Sequence, residues 1–150
     1  MSKKKGIASP ATDRLVIDSS IALAWCFTDE QGDYPQSVLD SLDSQSAIVP
    51  YLWHLEIANV LLVGERRGRC TQADTVHWLA FLAALPIAID DETAARAWQE
   101  TLHLARAHNL SVYDATYLEL AIRRGLSLAT LDNKLKAAAI AVGVIIYGTH

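Results

Sequence analysis

Only two cysteines occur in the 150 residues, Cys26 and Cys70, and no CxxC pair. That pattern excludes a disulfide framework and a cysteine-type zinc site, and predicts two free thiols in a cytoplasmic protein. The five histidines, His54, His77, His103, His108 and His150, show neither an H-x3-H nor an HExxH spacing, which removes the helical zinc motifs. Seven glycines are scattered, with no Gly-rich phosphate loop and no GxSxG elbow. No uninterrupted apolar run approaches the ~20 residues of a membrane span. An excess of positive charge is missing too: the formal net charge is -4 and the pI about 5.6, unusual for a partner of nucleic acid.

What is present is apolar. Hydrophobic residues make up 51% of the chain, enough for a sizeable core in one domain. Short β-type runs alternate with helical stretches, the signature of a parallel sheet covered by helices. The expected strands are Leu15–Asp18, Ala47–Val49, Ile87–Ile89, Leu126–Leu131 and Val144–Tyr147. About seven helices lie among them, so the expectation is a single three-layer α/β domain over 14–150 with a central five-stranded parallel sheet. Residues 1–13, with Lys3-Lys4-Lys5 and no apolar stretch after them, read as a flexible tail and not as a signal peptide. Ser19 or Ser20 is the expected cap of the first helix, Asp90 or Asp91 of the helix reaching His108, and Ser111 of the next.

Against this background four acids stand out: Asp18, Glu56, Asp114 and Asp132. Buried charge is costly unless it is paired or binds metal. Asp18 and Asp132 fall at the carboxyl ends of strands, where open parallel sheets bind ligands. Each competes with a plain capping role, although Ser19, Ser20 and Asn133 are available as caps. Glu56 shares a helix face with Leu52, Trp53, Val60 and Val63, the wrong face for a solvated acid, with Asn59 as its one polar neighbour. Asp114 has a strong rival reading as the N3 acid of a Ser111-x-x-Asp114 capping box. Thr130 precedes Asp132 by two residues, on the same side of an extended chain, and can orient a carboxylate or a water.

No matching set of Arg or Lys accompanies these acids in sequence. A shared divalent cation is the economical counter-charge, and oxygen-only ligands select Mg²⁺ or Mn²⁺. Such ions support phosphodiester hydrolysis. One or two of them would bring four carboxylates near neutrality. Arg66, Arg67 and Arg69, Arg123 and Arg124, or Lys134 and Lys136 would then decide the local field.

Val16-Ile17-Asp18-Ser19-Ser20, the E-x-x-N of Glu56 and Asn59, Ser111-Val112-Tyr113-Asp114-Ala115 and Ala129-Thr130-Leu131-Asp132 together resemble the PIN domain. Their order and spacing are similar to the toxin ribonucleases of VapBC-type toxin–antitoxin pairs. The resemblance spans about Leu15 to Tyr147. It implies Mg²⁺ or Mn²⁺ held by Asp18, Glu56, Asp114 and Asp132, with Ser19, Asn59 and Thr130 in support, and cleavage of single-stranded RNA. It further implies a homodimer and an antitoxin that covers the site. A housekeeping RNA-processing nuclease is the alternative within the same chemistry. Outside it stands a phosphoacceptor receiver module, which also places acids at strand ends, here Asp90 or Asp91. A receiver needs a lysine after its last strand, and Val144 to His150 contains none.

Overall fold

The computed structural model describes residues 14–27, 29 and 32–148. The expected tail, 1–13, lies outside them. The first strand, β1 (Arg14–Ile17), runs into helix α1 (Ser19–Cys26), followed by α2 (Asp33–Ser41) and strand β2 (Ser46–Pro50). The pair α3 (Leu52–Arg66) and α4 (Gln72–Ala83) leads to strand β3 (Ile87–Asp90). Thr93–Arg96, a π turn at Ala97–Thr101 and Leu102–His108 run on as one rod, α5. Helix α6 (Val112–Arg124), strand β4 (Ser127–Ala129) and helix α7 (Asn133–Ala141) follow.

All pairings in the sheet are parallel, in the order β3-β2-β1-β4. Val16 of β1 sits opposite Ile48 of β2 and Leu128 of β4. Side chains alternate across a strand, and here both faces are buried. Val16, Ile48 and Leu128 enter one core with Trp53, Ile57, Leu61, Tyr117, Leu118 and Leu135. Leu15, Ile17, Ala47 and Ala129 enter the other with Ile21, Val38 and Leu42. The three layers of the expectation are therefore present.

The sheet has four strands among the described residues, not five. The stretch expected as a last strand makes one parallel bridge, Leu128 to Ile146, with Leu128 N–H donating to the Ile145 carbonyl and Tyr147 N–H to the Leu128 carbonyl. Strand β4 is three residues long, so it offers only Leu128 outward, and left-handed Gly143 and Gly148 turn the chain away on either side.

Local chemistry explains most helix ends. Thr71 and Asp74 form a reciprocal capping box on α4. Ser111 caps α6, and Gly125 closes it at φ 66°. Helix α2 starts at Asp33 and carries Pro35 in its first turn, where the amides have no helical partner for proline to remove. Trp25 holds α2 against α1 by donating Nε1–H to the Pro35 carbonyl at 2.8 Å. Trp98, within the π turn, is 90% exposed.

Candidate active site

Parallel strands bring their carboxyl ends to one edge of the domain, and the side chains there determine what it can do. Asp18 leaves the central strand and is 5% exposed. Its Oδ1 accepts from Ser20 Oγ at 2.6 Å and, weakly, from the Ile21 amide at 3.4 Å. Its Oδ2 accepts from Thr130 Oγ1 at 2.5 Å. The Thr130 oxygen in turn accepts from the Asp132 amide at 2.9 Å, and Ser20 Oγ from the Leu131 amide at 3.0 Å. Hydroxyls thus stitch the end of β1 to the end of β4, and Thr130, at their junction, is 4% exposed.

The expected caps are corrected. Asp18, not Ser19 or Ser20, caps α1, and Asp132, not Asn133, caps α7 through the Lys134 and Leu135 amides at 2.9 Å each. Capping and an outward negative charge are compatible, because a helix N-terminus favours the anion. For Asp114 the balance runs the other way. Ser111 Oγ accepts from the Asp114 amide at 3.0 Å, but the carboxylate does not reach back to the Ser111 amide.

The Asp114 carboxylate acts electrostatically on three other acids. It raises Asp18 and Glu56, and is itself raised by Asp132. Asp18, Glu56 and Asp132 are thus each coupled electrostatically to Asp114. Burial first, then Asp114 against the opposing Ser20, Thr130 and Ile21 hydrogen bonds, leaves the Asp18 carboxyl pushed up to about 6. Burial also raises Glu56, against a hydrogen bond from Tyr117 and helped by Asp114. Asp114 is raised by burial and by Asp132, and eased by Ser111 and Lys134. No three of the four bring oxygens within 4.8 Å of one another.

Glu56 is half-buried on α3, and its partner is not the expected one. Asn59 is exposed and makes no hydrogen bond to Glu56. Glu56 Oε1 instead accepts a short hydrogen bond from the Tyr117 hydroxyl, and Ser19 lies beside both groups. Sequence reasoning passed over Tyr117. Its signal was the Asp114 to Tyr117 spacing of three, which puts both on one face of α6.

A second acidic group is neutralised differently. Asp90, Asp91 and Glu92 bring carboxylate oxygens within 4.8 Å of one another. Asp90 and Asp91 were read as caps of the following helix, yet neither caps it; the flanking residue is Glu92, with no side-chain cap bond. Asp90, 1% exposed, is held by Arg123 at 2.7 Å and Arg124 at 3.0 Å. Burial works to raise its carboxyl, but the arginine hydrogen bonds outweigh it and the group lies below the ordinary range. Arg123 also holds buried Glu119 at 2.8 Å. Arg123 and Arg124 are therefore committed to Asp90, while Arg69 pairs with Asp29 and lies over the Phe27 ring. Of the cations considered for the field of the site, Lys134 is the one that acts on Asp114.

The donor set around Asp114 suits a hard divalent cation. It consists of carboxylate and hydroxyl oxygens, three of the acids are half-buried and one fully, and no arginine is bonded to them.

An α/β domain with Asp18 and Asp132 at the carboxyl ends of neighbouring parallel strands defines a class of carboxylate-site proteins, and the sequence comparisons place it more narrowly. The pattern of the PIN domain matches residues 15–141, and the chain belongs to that family. Among curated proteins it is similar to Ribonuclease VapC3 of Pyrobaculum aerophilum, 29% identical over 122 residues, covering 81% of this chain and 92% of the relative. Among solved structures, PAE2754 from Pyrobaculum aerophilum superposes with a TM-score of 0.65 at 21% identity, over 92% of this chain and 88% of that one. VapC20 of Mycobacterium tuberculosis, described as a sarcin-ricin loop cleaving toxin, gives 0.61 at 19% identity, over 83% and 94%. These two likenesses are of fold. The receiver alternative falls with the family match, and the acid it relied on, Asp90, is filled by arginines.

Proposed function

We propose that the chain is a metal-dependent endoribonuclease acting on single-stranded RNA, the toxin of a toxin–antitoxin pair. The observation that carries this reading is the placement of Asp114 within electrostatic reach of Asp18, Glu56 and Asp132, without an arginine among them. The ribonuclease name of the VapC3 relative supports the substrate class. Asp18, Glu56, Asp114 and Asp132 hold Mg²⁺ or Mn²⁺, directly or through water. When bound, the ion polarises a phosphoryl oxygen and lowers the pKa of a bound water. Ser20 and Thr130 hold Asp18 in place, and Thr130 ties it to the Asp132 segment. One of the acids also takes the proton of the attacking water. Lys134, at the rim, offers a cation to the RNA backbone.

The partners proposed are RNA, a cognate antitoxin and a second copy of the chain. Antitoxin docking is supported by apolar side chains left exposed on α3 and α4: Leu55, Leu62, Val76 and Leu79. Between these helices lies a cavity of about 300 Å³ lined by Trp53, Ile57, Leu79, Leu82, Leu85 and Ile87. Trp53 lines this cavity, and its buried Nε1 has no hydrogen-bond partner among the described residues. An arginine from that segment, pairing with the acids, is the simplest way to block the site. Action in the cytoplasm fits a chain in which no helix among the described residues is long and apolar enough to cross a membrane.

Cleavage mapping on total RNA, with and without Mg²⁺ or Mn²⁺, tests the reaction. Expression in a bacterial host tests the role: the wild-type chain arrests growth, Glu56→Gln does not, and co-expression of the neighbouring small gene restores growth. A chain that cuts RNA in vitro but is harmless at high expression is a housekeeping nuclease instead.

A further inference from the structure

We propose that Tyr117 is a positioning residue for Glu56: its buried hydroxyl fixes one carboxylate oxygen and leaves the other turned to the candidate metal site. This rests on the reading of Asp18, Glu56, Asp114 and Asp132 as metal ligands.

A glutamate at the edge of a cleft has rotamer freedom to lose, and a loosely held ligand costs affinity each time it is ordered. Glu56 is half-buried on α3, and Asn59, the polar neighbour on its own helix, does not restrain it. Its restraint comes from across the site. Tyr117 is 1% exposed, packed in the same core cluster as Trp53, Ile57 and Leu118. A tyrosine ring has two side-chain torsions, and packing of this kind holds both, so the hydroxyl is delivered from a rigid mount. It donates to Glu56 Oε1. A carboxylate has two oxygens, and anchoring Oε1 leaves Oε2 as the freer acceptor.

The mount is shared. Asp114 and Tyr117 are one helical turn apart on α6, so one rigid element sets both the Asp114 carboxylate and the hydroxyl that holds Glu56. The arrangement repeats elsewhere in the site. Asp18 is held by the hydroxyls of Ser20 and Thr130, and Asp114 is eased by that of Ser111. Hydroxyls supply hydrogen bonds without adding the positive charge that would compete with a cation. The plain rival is that Glu56 merely satisfies a buried phenol, which needs an acceptor wherever it lies. Under that rival, loss of the hydroxyl moves stability and leaves metal binding alone.

The test is Mn²⁺ binding to the full chain, followed by the electron paramagnetic resonance signal of free Mn²⁺, for wild type, Tyr117→Phe, Glu56→Gln and the double variant. RNA cleavage is measured across the same Mn²⁺ range. Tyr117→Phe is expected to weaken Mn²⁺ binding about tenfold, the usual scale for losing a partner that orients a ligand. Most of its cleavage defect then disappears at saturating Mn²⁺. In the Glu56→Gln background the same change is expected to alter Mn²⁺ binding less than about twofold, because coupled residues are not additive. Wild-type affinity in Tyr117→Phe, beside weakened binding in Glu56→Gln, overturns the positioning role and leaves the site reading intact. Unchanged binding in Glu56→Gln overturns both. Should Tyr117→Phe fail to fold, 3,5-difluorotyrosine at position 117 keeps the ring and alters the donor; an unchanged Mn²⁺ affinity there counts against the proposal.

Discussion

Two buried aspartates, Asp90 and Asp18, end strands of this domain, each within a group of acids, and the two groups are neutralised differently. Asp90, 1% exposed at the end of the edge strand β3, is clasped by Arg123 and Arg124 and lies below the ordinary carboxylate range. Asp18, 5% exposed at the end of the central strand β1, has hydroxyl partners and acidic neighbours, and burial pushes it up to about 6. Burial does not by itself distinguish a structural acid from a functional one. What distinguishes them is whether the protein supplies the counter-charge. Where it does, the acid locks β3 to α6. Where it does not, burial first and acidic neighbours second hold the Asp18, Glu56 and Asp114 carboxyls above the ordinary range.

The largest expected effect lies on the functional side. Asp114→Asn, at the acid that touches the field of the other three, is expected to cut RNA cleavage by about 10²–10⁴-fold at saturating Mg²⁺. Its melting temperature should not fall, since a repulsive charge has gone. A large loss of stability would place Asp114 with the locked acids.

Next in size is Arg123→Ala, which strips the main partner from Asp90 and from Glu119, the latter 5% exposed. Breaking a buried pair by removing one partner costs about 3–5 kcal/mol, to be read from urea unfolding. Asp90→Asn with Arg123→Met should recover part of that loss. If Arg123→Ala were neutral, the contrast between the two groups would collapse.

A smaller effect is expected from Asp18→Asn in metal-free protein, and its pH dependence is the sharper measure. The folded carboxyl titrates near 6 and the unfolded one near 3.8, so the unfolded state holds fewer protons between them. Wild-type stability therefore falls as pH rises through that window. The variant escapes this loss: its melting temperature should match wild type near pH 4 and exceed it above pH 6, by up to about 3 kcal/mol in stability. Saturating Mg²⁺ should erase the difference by stabilising only the wild type.

The smallest effect belongs to Arg96→Ala. Arg96 pairs with Glu92 at 2.8 Å and Glu100 at 3.0 Å, both partly solvent-exposed. Exposed pairs are screened and offset by side-chain entropy. The expected change in melting temperature is within the scatter of repeated scans at high salt. A large change would show that the whole network, beyond its buried part, acts as a lock.

Much of the domain could be read from local pattern. The apolar runs around Val16, Ile48, Ile87 and Leu128 became the four strands, and the capping serine and glycine at Ser111 and Gly125 bounded α6. The run at Val144–Tyr147 misled, because strand formation depends on the length of the neighbour it can pair with. The four candidate acids were visible as charges placed where apolar residues belong. Their supports were not. Asn59 was nearest in sequence to Glu56, yet Tyr117, 61 residues away, is what bonds it. Asp90 resembled an ordinary helix cap, and its arginines lie 33 and 34 residues further on.

The chain's own order of residues thus determined an α/β domain with out-of-place acids, since periodicity and the cost of buried charge are properties of short segments. Only the tertiary structure decided which acids meet cations and which meet one another. Hydrogen bonds and Coulomb forces act over a few ångströms, and in this fold the groups within that distance come from distant parts of the chain.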